Sequence, residues 1–154
     1  MGSKNHLKEE SEIVEQSYIK ITIDGVEFLA KEGQSVVEAA RDNGVDVPTL
    51  CDFKSLPPAG TCRVCMVKVG GRFFPGCTTP VSYGMVVESE SAELKDLRKG
   101  LIEMLFVEGN HHCPMCEKSG NCELQTLAYR YRMMAPRFQF LFPHRKIEAD
   151  QIGR

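Results

Sequence analysis

The sequence lacks the features that mark several common classes of protein. No part of the 154 residues reaches the roughly 18 consecutive apolar residues that a membrane-spanning helix needs. The opening stretch, MGSKNHLKEESEIVEQ, has no apolar core of a secretory signal, and His6 stands where a myristoylation motif has Ser or Thr. The net charge is −2 with both signs mixed, whereas phosphate binding needs a basic field. The sequence therefore predicts a protein with no membrane span and no nucleic-acid partner.

Motifs for nucleotide binding and for catalysis are also missing. The sequence contains no glycine-rich dinucleotide fingerprint, no P-loop and no open catalytic constellation. Because no export signal is present, we expect the cysteines in the reducing cytoplasm, where C-x2-C pairs indicate metal or redox chemistry rather than disulfides. The sequence thus predicts a cytoplasmic protein whose function depends on its cysteines and not on a catalytic site of its own.

The seven cysteines form two groups, of which the first contains four. Cys51, Cys62, Cys65 and Cys77 have the spacing C-x10-C-x2-C-x11-C, which supplies the two thiolates per iron that a [2Fe-2S] cluster needs. Gly60 lies in a turn before the C-x2-C pair, where it lets backbone amides approach the sulfur atoms. A four-cysteine zinc site is the alternative, but such sites more often combine two C-x2-C pairs. The spacing favours an iron-sulfur cluster.

The second group provides three thiols and lies directly after two histidines. Cys113, Cys116 and Cys122 have the spacing C-x2-C-x5-C, which can bind three corners of a [4Fe-4S] cluster. His111 or His112 would provide the fourth ligand. Taken alone, this group also fits a zinc site of three cysteines and one histidine. The presence of the first group favours iron.

The pattern of apolar residues predicts an α+β fold in which a small mixed sheet packs on one helix. A capping box of Ser35 and Glu38 starts the first helix, and Gly44 ends it. Apolar residues at helical spacing after Ser91, ended by Gly109, predict a second helix. The expected strands are 18–23, 26–30, 64–69, 72–74 and 85–88, and a third helix is expected at 123–134.

These elements divide the chain into four parts. A polar N-terminal extension is expected at 1–17, a [2Fe-2S] domain at 18–90, a helical [4Fe-4S] segment at 91–134 and an extended tail at 135–154. From residue 126 to residue 146 the sequence is basic and aromatic without any acidic residue. Arginine and aromatic side chains are enriched at protein interfaces, so we expect the tail to dock on a partner subunit.

Around both cysteine groups the sequence resembles a known family, the N-terminal iron-sulfur region of the large complex I electron-transfer subunit. It most resembles the small diaphorase subunit of NAD-reducing, bidirectional [NiFe] hydrogenases. The resemblance covers about residues 18 to 143, in the stretches NGVDVPTLC, GTCRVCMVKV, CTTPVSYGM, LFVEGNHHCPMCEKSGNCELQ and AYRYRMMAPRF.

The resemblance implies a β-grasp ferredoxin domain with [2Fe-2S] on the first cysteine group. It also implies [4Fe-4S] on the second group and one histidine. In the complex I pattern this histidine precedes the first cysteine as H-x3-C, but position 109 is Gly here. The diaphorase-like version, GNH-x-C, assigns the ligand to His111, with His112 as the alternative.

The function that the resemblance implies is electron transfer within a hetero-oligomeric, NAD(H)-linked oxidoreductase. The chain would relay electrons between a flavin/NAD diaphorase subunit and a catalytic subunit such as a [NiFe] hydrogenase. An NAD-linked formate dehydrogenase or another flavin-based reductase is the alternative complex. A zinc-bound structural adaptor and a freely diffusing ferredoxin are the other hypotheses. Many relatives continue into a domain with two further [4Fe-4S] sites, and we expect those clusters on another polypeptide or a different route for the electrons.

Overall fold

The computed structural model describes residues 17–53, 55–109 and 111–140. The predicted extension lies outside the described residues except for its last residue, and so does the predicted tail from residue 141 onward. None of the described helices is long and apolar enough to cross a membrane. The strands and α-helices of the described part are β1 (Tyr18–Ile23), β2 (Val26–Lys31), α1 (Val36–Asp42), β3 (Met66–Val69), β4 (Arg72–Pro75), β5 (Met85–Glu88), α2 (Ala92–Glu108) and α3 (Glu123–Arg130).

The five strands form one mixed sheet in the order β2-β1-β5-β3-β4. β1 and β5 are parallel, and the other neighbouring strands are antiparallel. The β1–β2 turn has φ of 49° at Asp24 and 83° at Gly25, and positive φ at both central residues is typical of the hairpin turn that matches the twist of the strands. The predicted α+β class with a small mixed sheet is confirmed.

One face of the sheet packs against α1 and forms the core that we call the sheet core. The predicted capping box is present: Ser35 Oγ accepts from the Glu38 amide, and the Glu38 carboxylate accepts from the Ser35 amide. The alternation of β1 places Ile21 and Ile23 inside. The buried members of the sheet core are Ile21, Ile23, Ala30, Val36, Val37, Ala39, Ala40, Val47, Cys65, Val67, Cys77, Val81 and Val87.

A second group of buried side chains, the helical core, joins α2 and α3 to the first cysteine loop. Its buried members are Val64, Ile102, Leu127, Ala128 and Tyr131. The prediction of a strand from residue 64 was wrong for its first two residues. Arg63 adopts φ of 60°, and the Met66 amide donates to the Arg63 carbonyl at 3.2 Å, so a turn precedes β3. Val64 is consequently part of the helical core rather than of the sheet core.

The third helix ends at Arg130, four residues before the predicted end at 134. Arg132 has φ of 50°, its amide donates to the Tyr129 carbonyl, and the Met133 amide donates to the Ala128 carbonyl. These two bonds around a left-handed residue form a Schellman motif, which stops the helix. Local sequence signals do not predict this end, because that position is usually glycine.

Two arginines of the basic, aromatic region bind within the chain itself. Arg130 Nη1 lies 2.6 Å from Asp46 Oδ2, and this contact joins α3 to the loop after α1. Arg137 Nε donates to Glu103 Oε2 on α2 at 2.7 Å, and its Nη1 lies 3.3 Å from Asp96 Oδ1. The arginines at 130 and 137 therefore hold this region on the body of the protein.

Candidate metal centres

The β3–β4 hairpin brings two cysteines of the first group together. Its register pairs Met66 with Pro75, so Cys65 stands immediately before the first strand and Cys77 two residues after the second. The Gly76 amide donates to the Cys65 carbonyl at 3.0 Å, and a Cβ at Gly76 would lie 3.0 Å from that same oxygen. The absence of a side chain at Gly76 therefore allows the close approach of Cys65 and Cys77, which are both buried.

The other two cysteines of this group lie on the long loop between α1 and β3. Gly60 has φ of 64°, and a Cβ there would lie 3.0 Å from Thr78 Cγ2, beside Cys77. The loop thus packs directly against the end of the hairpin. Its beginning is fixed to α1 by an ion pair of 2.7 Å between Arg41 Nη2 and Asp52 Oδ2.

The four sulfur atoms interact with one another, and these interactions change their acidity. Burial and, as a smaller effect, a hydrogen bond with Cys65 together raise the pKa of Cys77 to about 12. For Cys51, burial raises the pKa, but hydrogen bonds from Cys62 and Thr61 outweigh burial and lower the pKa to about 7. Burial also raises the pKa of Cys62, against the lowering effect of backbone amides such as that of Val64.

The arrangement of these thiols fits a [2Fe-2S] cluster. Hydrogen bonds group Cys51 with Cys62 and Cys65 with Cys77, and such a cluster needs two thiolates on each of two irons. Backbone amides near the sulfur atoms are the donors that stabilise a negatively charged cluster. Among the residues that the structure describes, no three His, Cys, Asp or Glu side chains form a group that could hold a single metal ion.

The candidate ligands of the second group surround one cavity of about 270 Å³. The cavity lies between the end of α2 and the start of α3. Its lining comprises all five candidate ligands, His111, His112, Cys113, Cys116 and Cys122, together with Phe106, Met115, Ser119, Leu124 and Gln125. The structure thus brings together the three thiols and both imidazoles that the sequence singled out, and three thiolates with one imidazole fit a [4Fe-4S] cluster.

Short local hydrogen bonds shape the loop around this cavity. A 3-10 turn at Cys113–Met115 is followed by a bond from the Cys116 amide to the Cys113 carbonyl at 3.3 Å. The Gln125 side chain of α3 accepts from the Gly120 amide at 3.0 Å, which closes the loop onto the helix. Cys116 is exposed, whereas Cys113 and Cys122 are half-buried. The second site is therefore more accessible than the first.

The His111 ring has a defined position at the end of α2. It lies 5.4 Å from the Phe106 ring, centroid to centroid, with an angle of 51° between the planes. A Cβ at Gly109 would collide with His111 Nε2 and would lie 2.7 Å from Cδ2. The imidazole thus occupies space that is free only because residue 109 has no side chain. His111 and His112 both line the cavity, so the structure places either imidazole beside the three thiols.

Sequence reasoning missed several residues that support these sites. Phe106 is one of the apolar residues at helical spacing that predicted α2, and that spacing gives no sign of its contact with His111. No local signal links Arg41 to Asp52. Arg98 is different: it is buried on α2, four residues from both Leu94 and Ile102. A charged residue at this place in an apolar stripe is a signal that the sequence does contain.

The mixed sheet, the paired buried thiols and the cysteine-lined cavity define an iron-sulfur protein of the ferredoxin class. The family model described as 2Fe-2S iron-sulfur cluster binding domain matches residues 16–92, and the chain belongs to this family. A second model, the NADH-ubiquinone oxidoreductase-G iron-sulfur binding region, matches residues 98–137. The two matches contain the first and the second cysteine group, and the families that they describe bind the two predicted kinds of cluster.

Relatives that match most of this chain include proteins of a hydrogenase and of an NADH-ubiquinone oxidoreductase. The chain is 52% identical over 130 residues to the gamma subunit of the NAD-reducing hydrogenase HoxS of Cupriavidus necator, covering 84% of this chain and 56% of that subunit. It is 35% identical over 137 residues to the mitochondrial NADH-ubiquinone oxidoreductase 78 kDa subunit of Candida albicans, covering 88% of this chain and 19% of that protein. The chain thus spans little more than half of the first relative and about a fifth of the second.

A solved structure shares the fold. The crystal structure of NAD+-reducing [NiFe]-hydrogenase in the H2-reduced state contains a chain that matches with a TM-score of 0.80 and 43% sequence identity. The match covers 85% of this chain and 56% of that chain. The resemblance to the hydrogenase and complex I family that the sequence indicated is therefore confirmed.

Proposed function

We propose that this chain is an electron-transfer subunit of a cytoplasmic, NAD(H)-linked oxidoreductase of several subunits. In this proposal it relays electrons between a flavin/NAD diaphorase subunit and a catalytic subunit of the [NiFe] hydrogenase type. The HoxS relative and the matching crystal structure, both of NAD-reducing hydrogenases, support this choice. A cytoplasmic location is supported by the seven cysteines, all of which are free.

One observation carries the proposal: two thiol-rich sites share a single packed core. Val64, from the turn between Cys62 and Cys65, is buried in the helical core. Leu124, which lines the cavity of the second site, packs against that same core. A protein that relays electrons needs two redox sites at a fixed separation, and this packing provides a rigid connection between the two sites.

The proposed ligands are those that the sequence singled out. We assign Cys51, Cys62, Cys65 and Cys77 to [2Fe-2S]. We assign His111, Cys113, Cys116 and Cys122 to [4Fe-4S]. Each cluster, when bound, takes up and releases one electron. The protein surrounds these sites with backbone amides and apolar side chains, which tune the potential and limit the access of water.

The proposed division of the chain follows the sequence prediction of a [2Fe-2S] domain at 18–90, a [4Fe-4S] segment at 91–134 and a docking tail at 135–154. Because Arg137 binds α2, its guanidinium contributes to holding the tail in place. Within the tail, Phe138 is 44% exposed, and Phe140 is 49% exposed. Apolar side chains of this kind are available for contact with a partner subunit.

The experiment that tests the proposal is reduction of the native complex by NADH. The complex is purified anaerobically, and its EPR spectrum is recorded before and after NADH and again after dithionite. We expect NADH to produce a reduced [2Fe-2S] signal from this chain, with a flavoprotein and a hydrogenase subunit in the same preparation. If a formate dehydrogenase subunit copurifies in place of the hydrogenase, the chain remains an electron-transfer subunit, but its proposed catalytic partner is wrong. If the chain purifies without any other subunit, the proposal that it is part of a larger complex is contradicted.

The assignment of His111 has its own test in two matched variants. His111→Ala removes the imidazole that packs on Gly109, whereas His112→Ala removes the neighbouring imidazole. We expect His111→Ala to lose or alter the [4Fe-4S] signal and His112→Ala to keep it, with the [2Fe-2S] signal unchanged in both. Loss of the signal in His112→Ala alone would assign the ligand to His112.

A further inference from the structure

Arg98, in the middle of α2, is a buried cation that lies outside both proposed ligand sets. Its exposed fraction is 0%. Its ion-pair partner Glu90 is only partly buried, with Nη1 and Oε1 3.4 Å apart. Within the described part of the chain its Nε has no hydrogen-bond partner. Removing a guanidinium from water is costly unless its charge and its donors are fully satisfied. Among the described residues, Arg98 is therefore a buried charge with one unsatisfied donor and a partly exposed ion-pair partner.

The contacts of Arg98 reach three separate parts of the chain. Nη2 donates to the carbonyl of Met66, the residue after Cys65, at 2.7 Å. Nη1 lies 3.5 Å from the hydroxyl of Tyr131, which caps the end of α3. The α3 helix begins immediately after Cys122, its N-terminal flanking residue. One side chain of α2 thus contacts the peptide next to the first site and the end of the helix that starts at the second.

The Arg98 guanidinium donates a hydrogen bond to the residue that follows a proposed ligand of the first site. The acceptor is the Met66 carbonyl, and no bulk water surrounds the buried guanidinium. A positive charge favours the reduced cluster, which is the more negative state, and the effect is strong where the effective dielectric constant is low. An exposed cation at a similar distance would be screened by solvent.

We infer that Arg98 is a positioning residue that fixes the separation of the two cysteine loops and raises the reduction potential of the first site. The inference rests on the proposed function, because a reduction potential requires a [2Fe-2S] cluster on the first cysteine group. Its structural half concerns the distance and orientation between the two sites. Its electrostatic half concerns the potential of the first site.

Lys95 provides a matched control on the same helix. It also binds Glu90, at 2.9 Å, but its side chain is 58% exposed. Arg98→Gln and Lys95→Gln each remove one positive charge and one partner of Glu90. Only the first removes a buried charge and the bond to Met66.

The test compares these variants in the anaerobically purified native complex by redox titration monitored by EPR, with iron analysis of each preparation. We expect Arg98→Gln to retain its iron and to shift the [2Fe-2S] midpoint to a lower potential. We also expect a change in the magnetic interaction between the two reduced clusters. Lys95→Gln should show neither change. An unshifted potential in Arg98→Gln, or an equal shift in both variants, overturns the electrostatic half.

Arg98→Lys separates charge from position and keeps the test decisive if Arg98→Gln does not fold. The lysine keeps the positive charge, but it lacks the planar fork that reaches two acceptors at once. We expect a potential close to that of the unmodified protein and an altered magnetic interaction. An unchanged magnetic interaction between the two clusters overturns the claim that Arg98 fixes the separation of the two cysteine loops. Unmodified protein with no EPR signal would contradict the proposed function itself, whereas two signals without any effect of Arg98 would contradict this inference alone.

Discussion

Cys65 and Cys77 of the first site are buried members of the sheet core, whereas the cysteines of the second site lie on a loop around a cavity. In the first site the register of a hairpin sets the positions of two thiols. In the second, Cys116 is exposed, and a 3-10 turn and one glutamine side chain shape the loop. The first site is therefore part of the fold, and the second is attached to it.

This difference indicates how each site depends on its ligand. A site with two of its four thiols in a packed core is partly organised before metal binds, and a change at either of those thiols affects both cluster and fold. A site on an exposed loop gains more of its order from the bound group. Changes in the second site should therefore remove a cluster and leave the rest of the protein intact.

The largest difference between the sites is expected for matched cysteine substitutions. Cys77→Ser should lose the [2Fe-2S] cluster and also destabilise the metal-free protein, by about 1–3 kcal/mol, because a more polar hydroxyl would replace a buried thiol in the sheet core. Cys116→Ser should lose the [4Fe-4S] cluster with little effect on the metal-free protein, because Cys116 is exposed. Iron analysis and thermal unfolding of the metal-free variants measure both effects. Equal destabilisation by the two substitutions would contradict the difference between a buried and an attached site.

A smaller and more local effect is expected at Gly109. Its φ of −90° and ψ of 161° suit any residue, so Gly109→Ala introduces only the collision with the His111 ring. We expect the EPR signal of the second cluster to be lost or altered and that of the first to be unchanged.

Gly100→Ala is the control, because it adds the same methyl group to α2. The nearest atom to the added Cβ would be Arg137 Nη2 at 3.4 Å, at the end of a flexible side chain. This variant should keep both signals. If Gly109→Ala also keeps an unchanged second signal, the packing of the ring on Gly109 does not position the ligand.

Removing the contact between Arg137 and Glu103 tests how the tail is fixed to α2. Glu103 is fully buried, and within the described residues its Oε1 has no hydrogen-bond partner, so Arg137→Met would leave a buried carboxylate without its cation. We expect this variant to lower the melting temperature. Adding Glu103→Gln should restore part of the loss, because the buried charge is then removed. A double variant less stable than Arg137→Met would contradict this explanation.

Thiol reactivity compares two cysteines of the first site without changing any residue. In metal-free protein, the pKa of about 7 makes Cys51 roughly half thiolate at neutral pH, whereas the pKa of about 12 keeps Cys77 protonated. Treatment with iodoacetamide followed by peptide mass spectrometry should show Cys51 modified before Cys77, with a rate that rises through pH 7. Equal rates at Cys51 and Cys77 near pH 7 would show that the two thiols do not differ as the structure indicates.

The pKa of Cys77 also has a consequence for stability. Its folded-state value lies above the ordinary value of 9.0, so the metal-free folded protein holds the proton more tightly than the unfolded chain. This contribution is fully present below pH 9 and is lost as the pH rises from about 9 towards 12. The stability of the metal-free protein should therefore decline over that range, as chemical denaturation at each pH would show.

Local sequence patterns predicted most of the fold. Alternation, the Asp24-Gly25 turn and the Ser35 capping box predicted β1, β2 and α1 because each depends on neighbouring residues. The two errors, at the start of β3 and the end of α3, both occur where an arginine adopts positive φ. Propensity rules assign such positions to glycine, so tertiary packing has to impose them here.

For the candidate sites too, some features follow from local sequence patterns and others from tertiary packing. Cysteine spacing predicted which thiols belong together, because ligands of one cluster are often close in sequence. The pairing of Cys65 with Cys77 depends on the β3–β4 register, and the role of Gly109 depends on where the His111 ring packs. Contacts of Arg98 with Met66 and Tyr131 join residues more than 30 positions apart, and a pattern in one chain does not reveal them.

Metal analysis decides whether this chain binds two different iron-sulfur clusters, on which the electron-transfer function depends. The protein is purified anaerobically in its native complex, and its iron, zinc and acid-labile sulfide are measured together with EPR after reduction by dithionite. We expect about six irons for each copy of this chain, the sum of one [2Fe-2S] and one [4Fe-4S] cluster, and two distinct reduced signals. Stoichiometric zinc on this chain without any EPR signal would show that the two sites are structural and carry no electrons.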